Sequence, residues 1–207
     1  MANTQAAVIG SSIVSFLPGL DGQQCDAVKT AVALAERATL SVFNEGLVED
    51  WLGYFRNQLK FMGWDAVAPE DIHWPTDQRS KLVDKALQTI AATAGEHFAE
   101  STDLALRRLM ASPATLGTFE RQAAERQCLQ FLPCSPAGNG RVDMVLYFET
   151  DKKTRFATGF MERKRSYHKV SAELVRFNVR AFMDTHLPKV LASTVEQARL
   201  SIHEYQI

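Results

Sequence analysis

The alternation in Arg141–Phe148 constrains the fold of this chain more than any other feature: Val142, Met144, Leu146 and Phe148 fall on one face of an extended segment. After Asp151-Lys152-Lys153 the same period resumes in Phe156, Thr158 and Phe160. Upstream, Gln127–Leu132 reads as a strand, and Pro133–Gly140, with two prolines, two glycines and an asparagine, reads as the loop that follows it. The pattern predicts an antiparallel β-meander over residues 127–169, packed on one side.

Helical patterning precedes the meander. Asp21 is placed to cap a helix that carries Cys25, Val28, Val32 and Ala35 on one stripe to about Leu40. A second helix starts near Leu47 and repeats Trp51, Tyr54, Phe55, Leu59 and Met62 until Gly63 ends it. Trp64–Trp74 reads as a short strand or extended connection because Pro69 and Pro75 interrupt it. From Thr76 or Asp77 a further helix runs to Gly95, another covers Glu96–Met110, and Ser112-Pro113 opens a short one to about Ala124. Residues 170–207 read as a closing helix or helix pair broken by Pro188. Helices, then consecutive strands, then helix give an α+β fold. The expected architecture is one domain over 1–207, with helices in 21–124, the meander in 127–169 and a C-terminal helical segment in 170–207 packed on the sheet.

The 207 residues, 46% of them hydrophobic, suffice for one full core. Lys plus Arg (23) nearly balance Asp plus Glu (24), so the net charge of −1 offers no global field for nucleic acid. Nucleic acid is therefore the least favoured partner. Cys25, Cys128 and Cys134 lack CxxC spacing, which argues for reduced thiols in a cytoplasm. No apolar run approaches the roughly 20 residues that span a bilayer. Ala6–Leu20 is apolar, but Met1–Gln5 lacks Lys and Arg, so export, where it occurs, would use a route without a cleaved signal peptide.

No segment carries a catalytic constellation. The five histidines form no metal-binding spacing, Ser11-Ser12 has no strand-to-helix elbow, and Gly10, Gly19 and Gly22 make no phosphate cradle. The expectation is no catalytic residue, no metal and no cofactor. The strongest local charge feature is the basic run Lys152, Lys153, Arg155, Arg163, Lys164, Arg165, His168 and Lys169, which reads as a solvated sheet edge or a contact for an anionic surface. Glu162 continues the Phe156–Phe160 face, near Asp143 and Glu149, and is expected in a structural ion pair. Cys134, beside the Pro133–Gly140 loop, reads as a silent, partly buried thiol, the alternative being a reactive or acylated one. Val8–Leu20 packs in the core or inserts into a membrane interface through Phe16 and Leu17. Trp51, Phe55, Trp64 and Phe160 are the expected lining of an apolar pocket between helices and sheet.

VIGSSIVSFLPGL (Val8–Leu20), the alanine-rich helix after it, WLGYFRNQLKFMGW (Trp51–Trp64) and FLPCSP (Phe131–Pro136) resemble a poorly characterised group of small microbial proteins. The resemblance covers most of the chain and extends to virulence-associated factors of bacteria that live with insects. It implies an acylated cysteine but no catalytic site. Glu162–Lys169 is charged where those proteins are serine-rich. Together these readings favour a non-enzymatic interaction or effector protein docking on a membrane surface or host protein. The alternative is a small-ligand-binding protein or small enzyme with an apolar pocket between sheet and helices.

Overall fold

The computed structural model describes residues 5–67, 80–150, 160, 164–165 and 169–207. Two strands open the chain, β1 (Gln5–Ile9) and β2 (Ser12–Phe16), followed by helices α1 (Gly22–Asn44) and α2 (Trp51–Phe61) and strands β3 (Trp64–Ala66) and β4 (Ser80–Lys81). Helices α3 (Leu82–Ala94), α4 (Glu96–Met110) and α5 (Pro113–Arg126) lead into strands β5 (Cys128–Pro136), β6 (Arg141–Thr150), β7 (Lys164–Arg165) and β8 (Lys169–Asn178). The chain closes with the short α6 (Val179–Ala181), further helical turns to Lys189, α7 (Ala192–Arg199) and β9 (Ile202–Gln206).

A seven-stranded sheet in the order β3-β8-β6-β5-β2-β1-β9 forms the middle layer, and β4 pairs with β7 apart from it. All its pairings are antiparallel except β2 with β5, which run parallel with Ser12 opposite Gln130. The chain is an α+β domain, and its sheet is mixed. Of the expected meander, β5 and β6 are antiparallel neighbours; the third expected strand, at Phe156–Phe160, lies outside the described residues except for Phe160, and β8 takes the place beside β6.

Both faces of this sheet are covered, which corrects the one-sided packing read from the alternation. On one face, Ala7, Val14, Cys128, Leu132, Met144, Leu146 and Phe177 pack with α1 and α2. On the other, Val8, Ile13, Leu129, Phe131, Val145 and Tyr147 pack with α3, α4 and α5. Alternate residues of β6 therefore enter two different cores, as a buried strand requires.

Local chemistry fixes several boundaries. Asp21 accepts a hydrogen bond from Gln24 N, and Gln24 Oε1 accepts one from Asp21 N, a complete capping box on α1. Pro113 sits in the first turn of α5, and Gln127 adopts a left-handed conformation (φ 55°) that stops the helix one residue before β5. Pro133 lies inside β5, so the strand runs on through Cys134 to Pro136 where the sequence predicts a loop. Residues 170–178, expected to be helical, belong to β8, and residues 202–206 form the edge strand β9.

Gly10 and Ser11 are the two loop residues between β1 and β2, whose register places Ile9 opposite Ser12. Gly10 takes φ +60° as the first of them, the arrangement that favours glycine in a two-residue hairpin. The apolar start is thus an internal hairpin, with β2 central in the sheet and Phe16 buried. Burial of Phe16 removes one of the two anchors expected for membrane insertion. Among the described residues no helix is long and apolar enough to cross a membrane.

Candidate functional site

The hairpin turn sits over a buried carboxylate. Glu36 lies one helical turn beyond Val32 on the buried stripe of α1 and is only 4% exposed. Its Oε1 accepts a hydrogen bond from Ser11 N at 3.1 Å. Arg126, the last residue of α5 and 8% exposed, brings Nε to 2.9 Å from the same oxygen, an ion pair without aligned hydrogen-bond geometry. The guanidinium is further placed by Nη1, which donates to Gln122 O at 3.2 Å, and by the Trp51 ring, whose centroid is 5.9 Å away.

Burial pushes the Glu36 carboxyl up to about 7, against the Arg126 charge and the hydrogen bonding from Ser11, which favour the carboxylate. Cys128 lies on the same side: its Sγ is 3.5 Å from Ser11 Oγ, and burial, reinforced by Glu36, raises its pKa and holds the thiol neutral. The cluster therefore favours proton exchange and hydrogen bonding over thiolate chemistry.

Polar capacity here exceeds what the protein uses. Glu36 Oε2, Gln122 Oε1, Ser12 Oγ, Trp51 Nε1 and both side-chain polar atoms of Gln130 are buried without a hydrogen-bond partner among the described residues. Ser12 and Gln130 face each other across the β2–β5 pair. Such groups are costly to bury, and they gather on the α1 side of one end of the sheet.

A cavity of about 130 Å³ adjoins the pair, lined by Gly10, Glu36, Arg37, Leu40, Gln122, Arg126, Gln197, Ala198 and Ser201. Exposed Arg37 and Gln197 form its solvent side, with Arg37 Nη2 donating to Gln197 Oε1.

The residues singled out from sequence are distributed differently. Trp51, Phe55 and Trp64 belong to the α1–α2 core, with Trp64 stacked on Phe177 at 4.2 Å, whereas Phe160 packs beside Phe119 in the core on the opposite face. The sheet separates them, so they form no common pocket. Beside Trp64 there is a cavity of only about 10 Å³, room for no more than a single water.

Cys134 is 0% exposed inside β5, with its thiol near Leu132 O at 3.4 Å, which corrects its expected place at a loop. Burial raises its pKa well above the ordinary thiol value, and raises that of Cys25 to about 11. None of the three thiols, all buried, should react with an aromatic disulfide reagent in the native protein, and all three should react in denaturing guanidinium. A single fast, stoichiometric thiol in the native state would contradict this.

Lys152, Lys153, Arg155, Glu162, Arg163 and His168 lie outside the described residues. Lys164 and Arg165 form β7, and Lys169 pairs with Thr150 at the start of β8, so these three are placed by backbone alone. Asp143 makes a two-pronged bond to Arg176 across the β6–β8 pair, at 2.7 and 2.8 Å. Glu149 is buried and accepts from Tyr147 Oη at 3.1 Å.

Sequence reasoning missed Glu36, Gly10 and Arg126. One signal was present: a glutamate four residues after Val32 on an otherwise apolar stripe. Compared with family models, curated proteins and solved structures, the chain matches none.

Proposed function

We propose that this chain is a small-ligand-binding protein whose site is the cavity beneath the β1–β2 turn. The observation that carries the reading is a cavity of about 130 Å³ walled in part by a fully buried ion pair, Glu36 with Arg126. A buried pair of this kind is rarely the most stable filling for a core, and perturbed titration beside a cavity is a physical marker of function. The volume suits a polar molecule of roughly four to six non-hydrogen atoms, since an empty site of about 150 Å³ accepts benzene. This retains the ligand-binding alternative drawn from sequence and moves its site from an aromatic pocket to a polar one. The membrane-docking reading, which the sequence favours, draws less support, because Phe16, one of its two anchors, is in the core.

A library of polar fragments of that size, followed by two-dimensional NMR, tests the reading. Shifts should centre on Gly10, Glu36, Gln122 and Arg126. Exposed Ser201 lines the cavity, so Ser201→Phe should abolish them while leaving the fold intact. Absence of any cavity-centred shift at millimolar fragment, or shifts indifferent to S201F, would overturn the proposal.

A further inference from the structure

The wall of this cavity is unevenly supplied with hydrogen-bonding charge. Its ionisable side chains are Glu36, Arg37 and Arg126, one carboxylate against two guanidiniums. Glu36 Oε1 is already engaged by Ser11 N and Arg126 Nε. Its Oε2 and the Oε1 of Gln122 are shut off from solvent, so the acceptors of these two side chains are spent or occluded. Donors remain. Arg126 uses Nε toward Glu36 and Nη1 toward the Gln122 carbonyl, and among the described residues its Nη2 meets no acceptor. Arg37 spends Nη2 on the neutral Gln197 amide and has no carboxylate partner among the described residues. With Glu36 cancelling Arg126, the wall keeps one positive charge at Arg37, and a planar guanidinium fork matches a carboxylate in shape and charge.

We infer that the cavity takes a short carboxylate, held between Arg126 Nη2 and Arg37. The inference rests on the ligand-binding reading above and specifies its chemistry. A carboxylate fits both the uncompensated charge of the wall and its planar donors. A neutral amide of the same shape would forgo the charge, and a cation would meet Arg37.

Three probes of similar size separate the possibilities: acetate, acetamide and methylguanidinium, titrated into the full chain in chloride-free buffer and followed by the amide and arginine side-chain NMR signals. Acetate should saturate at millimolar concentration, shift Arg37 and Arg126, and bind at least tenfold more tightly than acetamide. Arg37→Met alters an exposed side chain and should weaken acetate about tenfold and acetamide less. Acetamide equal to acetate, or methylguanidinium in its place, would overturn the carboxylate assignment and leave the cavity as a ligand site. Failure of all three probes together with the fragment library would remove the ligand-binding reading itself.

Discussion

Gly10→Ala is expected to destabilise the protein by about 4–7 kcal/mol, a large share of the roughly 5–15 kcal/mol that holds an ordinary domain together. A Cβ on Gly10 would lie 1.8 Å from Glu36 Oε1, 2.3 Å from its Cδ and 2.5 Å from its Cγ. No real contact survives at those separations, so the carboxylate must leave Ser11 N and Arg126. Breaking a buried pair in this way costs about 3–5 kcal/mol, and the left-handed backbone at φ +60° adds about 1–2 kcal/mol for any residue with a Cβ.

Gly138 supplies the control. It also has a positive φ, of +73°, but nothing lies within 4 Å of its would-be Cβ. Gly138→Ala should therefore show the backbone cost alone. Urea unfolding of the two variants measures the difference, and a G10A no less stable than G138A would refute the crowding argument. In a Glu36→Ala background the additional loss from G10A should shrink to the backbone cost, because the atoms that it meets are gone.

What could be read from the sequence follows from where its periodicities were unambiguous. The helix cap at Asp21 and the helix Glu96–Met110 were legible because they are local. The face of Val142, Met144, Leu146 and Phe148 was legible as well, but Val145 and Tyr147 face a second core, and a strand buried on both sides looks like one merely interrupted by apolar residues. The same ambiguity concealed β8: Leu174, Phe177 and Phe182 satisfy a helical spacing, while Val175 and Phe177 satisfy the strand period that the fold uses. The parallel pairing of β2 with β5 joins segments far apart in the chain and leaves no local trace. The site was hidden for the same reason, since Glu36 meets Ser11 across 25 residues and Arg126 arrives from another helix. Placing Phe160 with Trp64 followed from assuming one covered face.

Arg126→Met is expected to cost about 3–5 kcal/mol above neutral pH, because Glu36 would remain buried as a carboxylate with only the Ser11 amide to hold it. The loss should fade in acid. In the wild type, burial lifts the folded-state pKa of Glu36 from 4.5 to about 7, so between those values the folded protein holds a proton that the unfolded chain has released. Stability must then decline as pH rises through that window, by up to about 3 kcal/mol, and be insensitive to this group below it. Arg126 works against the burial effect, so removing it raises the Glu36 pKa further and extends the decline to higher pH. Glu173, also raised by burial, contributes a slope of the same sign that persists in every variant. The double replacement Glu36→Leu with Arg126→Met should lose the Glu36 component and match or exceed wild-type stability, as apolar substitution of buried pairs often does. Denaturant unfolding of the wild type, the single and the double variant at about pH 5 and pH 8 checks the set. A single variant equally destabilised at both pH values would defeat the titration argument. A double variant as stable as wild type would show that the pair is dispensable for folding, which leaves the neighbouring cavity as the reason for two opposite charges in the core.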